Sequence, residues 1–111
     1  MAFVYKILGQ LRPSDTSAAD IYTVPASTQT VVSSILICNT TTSAATFSVF
    51  QRVSGQAAGE ANAIAFEQTL PANSTTTIEA KLTLSATNVL SVQTGTSSAL
   101  TFTVNGSEIT S

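Results

Sequence analysis

The chain has 111 residues, which is the usual size of one domain and long enough to bury one hydrophobic core. Only 9% of the residues are charged and the formal net charge is −2, so the chain lacks the clustered cations that phosphate binding requires. No segment approaches the roughly 18 apolar residues of a membrane-spanning helix. The first ten residues carry Lys6 inside an apolar run and lack the apolar region of a signal peptide. We therefore expect no nucleic-acid partner, no membrane partner and no secretion by that route.

Serine and threonine make up nearly a third of the chain and replace most of the charged residues of an ordinary soluble domain. A surface covered with hydroxyl groups repels its neighbours weakly and tolerates being covered by other protein. The same composition is also typical of a β-rich sequence in which threonine occupies the exposed strand positions. Both interpretations stay open.

Runs of β-branched and aromatic residues alternate with turn residues along the chain, at the spacing typical of a sandwich or barrel. Between the first two runs lies a polar stretch, 10–20, which we expect to form a long loop or an arm. The run 30–38 is apolar on both faces at its centre, so it should lie in the middle of a sheet. The predicted strands are 3–8, 21–24, 30–38, 45–53, 64–70, 75–84, 89–93 and 100–104.

The clearest predicted strand is 75–84, in which Ile78, Ala80, Leu82 and Leu84 alternate with polar residues. The loop 54–62 is the most flexible segment by composition. We predict one all-β domain over 1–111, a two-sheet antiparallel sandwich of about eight strands, with 1–20 forming a strand plus an arm. A jelly-roll-like topology is favoured, with an immunoglobulin-like one as the alternative, although the tryptophan and the cysteine pair of immunoglobulin domains are missing.

No catalytic, cofactor or metal site is predicted. The chain has no histidine, which removes the commonest general base and the commonest metal ligand. Cys38 is the only cysteine and lies in an apolar run, so we expect it to be buried and inert. The six carboxylates lie far apart in sequence and are interpreted as solvated charges: Asp15, Asp20, Glu60, Glu67, Glu79 and Glu108. The sequence thus predicts a binding or structural protein and not an enzyme.

The candidate interface residues are Phe3, Tyr5 and Phe50, because exposed aromatic rings are favoured anchors in protein interfaces. Aromatic residues in such a pattern more often belong to the hydrophobic core, which is the alternative for all three. Phe3 and Tyr5 share one face of the first predicted strand. Phe50 lies on the strand face opposite Phe47. If that face points outward, Phe50 is an exposed anchor.

Four segments resemble a known group of proteins: KILGQ (6–10), IYTVP (21–25), VVSSILICN (31–39) and LTFTVNGSEIT (100–110). Their order and spacing resemble small virion structural proteins of tailed bacteriophages, especially phages of cyanobacteria and other aquatic bacteria. The resemblance covers nearly the whole chain, and its motifs describe strands and turns instead of a chemical site. It implies a virion component with a β-sandwich fold, assembled in the host cytoplasm, and it carries no catalytic residues.

The leading functional hypothesis is a capsid decoration or cement protein that bridges and stabilises neighbouring shell subunits. The first alternative is a tail, baseplate or fibre-attachment component. A third is a host-surface or carbohydrate-binding module. The chain has no tryptophan and only two tyrosines, which argues against a sugar site because such sites usually expose these residues. The expected partners are other virion proteins (the major capsid protein or tail proteins) and further copies of this chain. The first strand could pair within its own sandwich or with a neighbour's sheet edge.

Overall fold

The predicted β-rich runs form strands in a computed structural model that describes residues 2–53, 55–79 and 81–110, with the backbone alone for residues 2 and 3. Nine strands and one 3₁₀ helix (Glu60–Asn62) occur within these ranges. The strands are β1 (Ala2–Leu11), β2 (Ala19–Thr23), β3 (Thr28–Asn39), β4 (Ala45–Arg52), β5 (Ala63–Leu70), β6 (Thr75–Ile78), β7 (Leu82–Leu84), β8 (Val89–Thr94) and β9 (Leu100–Thr110).

The strands form two antiparallel sheets, a five-strand sheet in the order β1-β9-β3-β6 with β7 also paired to β3, and a four-strand sheet in the order β2-β8-β4-β5. Five of the pairings are nested in sequence: β1 with β9, β2 with β8, β3 with β6, β3 with β7, and β4 with β5. This is the pattern of one long hairpin rolled over on itself, with β3–β9 and β4–β8 as the new neighbours that the roll creates. The predicted two-sheet sandwich is confirmed, and its strand order is that of a jelly roll.

The core lies between the two sheets and is built from the inward-facing residues of the alternating strands. β3 lies between β9 on one side and β6 and β7 on the other, as its apolar centre predicted. The cluster of buried residues consists of Tyr22, Val24, Val32, Ile35, Ile37, Ala45, Phe47, Val49, Leu70, Leu84, Leu90, Val92, Ala99, Leu100, Phe102 and Val104.

The segment predicted as one strand, 75–84, is instead two short strands along β3. Ile78 lies opposite Ile35, and Leu82 lies opposite Val32. Between these two pairs, the segment from Ile78 to Leu82 advances by four residues while β3 advances by three. The segment between β6 and β7 therefore carries one extra residue. Ile78 and Leu82 nevertheless pack against the core, and Leu84 is buried in it, so the predicted facing is confirmed. Ala80 lies outside the described residues.

The polar stretch predicted over 10–20 is shorter in the structure, because β1 continues to Leu11 and β2 begins at Ala19. Among the seven residues between them, Arg12, Pro13 and Thr16 form hydrogen bonds with other parts of the chain. The carbonyl oxygen of Pro13 accepts a hydrogen bond from the N–H of Ser98, at 2.9 Å. The Arg12 guanidinium donates to the carbonyl oxygen of Ser98 and to the hydroxyl of Thr40. This segment is a largely exposed loop that hydrogen bonds attach to the body of the protein.

Asn39, at the end of β3, closes one end of the sandwich and is only 1% exposed. Its Nδ2 lies 2.9 Å from the carbonyl oxygen of Ser43 and 3.1 Å from that of Leu70. Its Oδ1 accepts from the N–H and the hydroxyl of Thr41, at 3.0 and 2.7 Å. One side chain thus joins β3, the following turn and the end of β5. The neighbouring Cys38 faces the opposite side of the sheet and is half-buried, so its expected burial is wrong.

Candidate interaction surfaces

The most exposed aromatic side chain of the described residues lies on β1, the terminal strand of the five-strand sheet. Tyr5 is 79% exposed, and the flanking Val4 and Ile7 are 50% and 61% exposed. Tyr5 and Ile7 point to the outer face of the sheet, while Val4 and Lys6 point to the face that meets the other sheet. Tyr5 also borders a shallow groove of about 240 Å³ on the outer face. The Tyr5 side chain is thus accessible, and its role as an interface residue stays a prediction.

The edge of β1 is open along only part of its length. Residues 2–7 pair one for one with 105–110 of β9, and the register shifts at Leu8. Beyond that shift β1 lies close to β2. The space between them is so small that a Cβ added to Gly9 would lie 2.4 Å from the carbonyl oxygen of Ile21. We call residues 2–7 the open edge. Phe3 pairs with Ile109 through its backbone, and its side chain lies outside what the structure describes.

Phe50 is 2% exposed, which corrects its assignment as an exposed anchor. Its side chain points away from Phe47 as predicted, onto the outer face of the four-strand sheet, where it lies outside the central core cluster. That face is covered because the chain after β4 folds back, and its 3₁₀ helix contacts β4. The sequence showed the facing of Phe50 but gave no sign of this cover.

Arg52 holds the chain after β4 against the same face. Its Nη1 lies 2.6 Å from a carboxylate oxygen of Asp20 and 2.8 Å from the hydroxyl of Ser91, and its Nε donates to the carbonyl oxygen of Gln56. Ser91 also donates to Asp20. Asp20 is therefore a paired charge. This arrangement ties β2, β8 and the loop after β4 together, so we interpret it as a structural cluster.

Glu108 connects both sheets at the open edge and was missed by the sequence interpretation, which treated it as a solvated charge. Its Oε1 lies 3.1 Å from Lys6 Nζ on β1, and its Oε2 accepts from the hydroxyl of Tyr22 on β2 at 2.5 Å. The Tyr22 hydroxyl also lies 2.7 Å from Thr30 Oγ1 on β3. Three strands, β1, β2 and β9, therefore meet at one carboxylate, and β3 joins them through the Tyr22 hydroxyl. The sequence carried no signal for this contact, since the two partners of Glu108 are 86 and 102 residues away.

The titration of this cluster follows from its geometry. The hydrogen bond from Tyr22, and then the Lys6 ammonium group, lower the pKa of Glu108 below its ordinary value of 4.5. Burial of the phenol, together with its hydrogen bond to Glu108, raises the pKa of Tyr22 to about 12. At neutral pH the cluster thus holds an ionised carboxylate and a neutral phenol.

The opposite edge of the sandwich, β5, also exposes apolar residues, but its geometry is irregular. Ile64 is 38% exposed and Phe66 is 42% exposed. The register of β5 against β4 shifts twice, and Glu67 adopts a left-handed backbone with φ of 49°. The hydroxyl of Ser48 accepts the Glu67 N–H there, at 2.9 Å. Bulges of this kind twist an edge away from further strand pairing.

A cleft of about 270 Å³ lies beside β4, β5 and β8 and is lined by Thr16, Thr46, Phe47, Ser48, Glu67, Gln93, Thr94 and Gly95. Several of its polar groups are already bonded within the chain: Gln93 Nε2 donates to the carbonyl oxygen of Thr16, and Thr94 Oγ1 donates to that of Thr96. Neither tyrosine lines this cleft, and its one aromatic residue, Phe47, is buried. It therefore lacks the exposed aromatic platform on which a sugar ring would stack.

The described residues contain no group of three or more Cys, Asp or Glu side chains that could hold a metal ion. Within the same part of the chain, no helix is long and apolar enough to cross a membrane.

The fold places the chain in the class of jelly-roll β-sandwiches. No family model matches the sequence, and the comparison with curated proteins gives no match. Among solved structures, the fold is similar to that of a chain in the structure of infectious bursal disease virus, Gx strain, with a TM-score of 0.53 and 10% sequence identity. The match covers 96% of this chain and 32% of that chain, so this protein spans about a third of its neighbour's length. At this identity the match shows a shared fold alone.

Proposed function

We propose that this protein is a virion structural component that acts by binding and not by catalysis. The observation that carries the proposal is the jelly roll itself, which is shared over 96% of the chain with a chain of a virus structure. The resemblance of the sequence to small virion proteins of tailed bacteriophages supports the same class. Assembly in the host cytoplasm is part of this proposal.

Within the virion, we place the protein on the capsid as a decoration or cement protein that bridges neighbouring shell subunits. Such a protein needs a surface that tolerates burial by its neighbours. The low charge and high hydroxyl content of the chain meet that need, because few charges have to be desolvated when the surface is covered. The exposed side chains of Val4, Tyr5 and Ile7 provide apolar contact area on one strand. The proposed partner is the major capsid protein, with a tail protein as the alternative.

The copy number in purified particles tests this proposal. Closed shells repeat each component many times by symmetry, so quantitative mass spectrometry should give on the order of hundreds of copies per particle for a shell component. A copy number in the tens or fewer would move the protein to the tail or baseplate. Absence from purified particles would refute the virion role altogether.

A second experiment tests the cementing role directly. Shells that lack the protein should become more resistant to heat when the purified chain is added back, because a ligand that binds only the intact shell stabilises it. The matched pair of variants is Tyr5→Asp, which alters the open edge, and Phe66→Asp, which alters the bulged edge of β5. Unchanged shell stability after saturating addition of the wild-type chain would contradict the cementing role.

A further inference from the structure

The open edge is the longest regular, uncovered strand edge among the described residues. β5 carries two register shifts, β2 carries one, and β6 and β7 are only four and three residues long. Residues 2–7 of β1, by contrast, run in unbroken register with β9. Natural sheets protect their edges with bulges, short strands, proline or charges, and the other edges of this sandwich use the first two. The open edge lacks both.

The side chains of the open edge add to this contrast. Val4, Tyr5 and Ile7 are half or more exposed, and the strand contains one charged residue, Lys6. The ammonium group of Lys6 is bonded to Glu108 of its own chain. The single charge is therefore partly neutralised, and it opposes pairing with another strand less than a free lysine would.

We propose that the open edge pairs antiparallel with the open edge of a second copy of this chain, with Tyr5 on the two-fold axis. Two such sheets would join into one continuous sheet across the dimer. In an antiparallel pair, directly opposite residues point to the same face of the sheet. A two-fold axis keeps each residue on its own face, so the axis must pass between one residue and its copy. The candidates for that central residue are Val4, Tyr5 and Lys6.

Charge and contact area select among these registers. Centring on Lys6 places two ammonium groups directly opposite each other, which is destabilising. Centring on Val4 leaves Ile7, which is 61% exposed, opposite residue 1. Centring on Tyr5 places Tyr5 against its copy, Val4 against Lys6 of the copy, and residue 3 against Ile7. This register buries Tyr5 and Ile7 of both copies on the same outer face. The net charge of −2 per chain opposes such pairing only weakly.

The inference does not rest on the virion role. A pair of short strands buries less area than the ~1,200 Å² at which standard interfaces begin, so the dimer should be weak in solution. Sedimentation velocity of the full chain, from about 1 µM to about 1 mM, should show a monomer–dimer equilibrium that shifts with concentration. Tyr5→Asp places two carboxylates at the axis and should raise the dissociation constant at least tenfold. Phe66→Asp, the matched change on the bulged edge, should leave the equilibrium unchanged.

Cross-linking tests the register without depending on a destabilising variant. In a Cys38→Ser background, Tyr5→Cys should be linked to its copy rapidly by a short bismaleimide, because directly opposite Cβ atoms lie about 5 Å apart. Gln68→Cys, on the exposed part of β5, should be linked slowly, at the rate of random collision. A wild-type chain that stays monomeric at every concentration overturns the proposal, and so does an association that Phe66→Asp abolishes while Tyr5→Asp does not. If the chain is monomeric and its binding to shells requires Tyr5, the open edge binds the shell and not a second copy. This result would overturn the proposed dimer and leave the proposed virion role standing.

Discussion

Replacing Glu108 with glutamine tests whether one carboxylate holds the two sheets together at the open edge. Glutamine keeps the shape of the side chain and an oxygen that can accept from Tyr22, but it removes the charge. The ion pair with Lys6 is surface-like, with the lysine side chain 46% exposed, and such pairs contribute about 0.2–1 kcal/mol. Exchanging a charged acceptor for a neutral one at the buried Tyr22 hydroxyl costs roughly another 1 kcal/mol. We therefore expect Glu108→Gln to lower the free energy of unfolding by about 1–2 kcal/mol at pH 7.

The pH dependence of this loss is the diagnostic result. The pKa of Glu108 is lowered in the folded protein, so its contribution is complete above the ordinary value of 4.5 and disappears as the pH falls through the folded value. Urea unfolding at a series of pH values should show the gap between wild type and Glu108→Gln closing below pH 4.5. Glu79→Gln, which removes an exposed carboxylate, is the control and should stay within about 0.5 kcal/mol of wild type throughout. A gap that remains constant down to pH 3 would show that the ionised form of Glu108 does not carry the interaction.

Three further predictions concern the rest of the fold. Asn39→Ala should lower the free energy of unfolding by about 2–4 kcal/mol in urea titrations, because buried carbonyl and N–H groups lose their partner. Thr42→Ala, in the exposed turn that follows Asn39, is the control and should lower it by less than about 0.5 kcal/mol. Equal losses for the two variants would refute the role of Asn39. Phe50→Ala should lower the free energy of unfolding by about 3 kcal/mol, because the ring is 2% exposed. If the variant is as stable as wild type but fails to assemble, the ring is an interface anchor after all. Cys38, half-buried, should react with a thiol reagent in the native protein more slowly than in urea, and a complete lack of reaction before unfolding would contradict its position on the outer face.

The alternation of apolar and polar residues predicted which residues face the core but not where strands end. The strand predicted to stop at Val104 continues to Thr110 through Asn105, Gly106, Ser107 and Glu108, none of which favours a strand locally. β9 persists there because it lies between β1 and β3, which satisfy its backbone on both sides, and because Glu108 finds Lys6 and Tyr22. These partners come from distant parts of the chain. A reading of local propensity cannot supply them.

The same distinction explains which candidate site residues could be predicted. Tyr5 was named as a candidate interface residue, but the sequence left a core position open for its ring. Its exposure follows from the position of β1 at the end of the five-strand sheet, which is set by pairing with the distant β9. Phe50 was not predictable, because its exposure depends on whether a loop folds back over its face. Its alternation with Phe47 fixed only the direction in which the ring points. The bulges of β5 were equally hidden, since Glu67 is a residue that seldom adopts a positive φ.

The distribution of bonds around β1 explains why an interaction surface would form at this strand and not elsewhere. The ends of β2, β3, β4 and β5 are fixed by hydrogen bonds of Asn39 and of the Arg52 cluster to other parts of the chain. The first half of β1 pairs with β9 through its backbone, and Lys6 in it is bonded to Glu108. The side chains of Val4, Tyr5 and Ile7 are half or more exposed, so their burial contributes little to the stability of the isolated chain. A partner that covers Tyr5 and Ile7 gains their burial without first breaking a packed core, and this makes the open edge the least costly place on the described surface to build an interface.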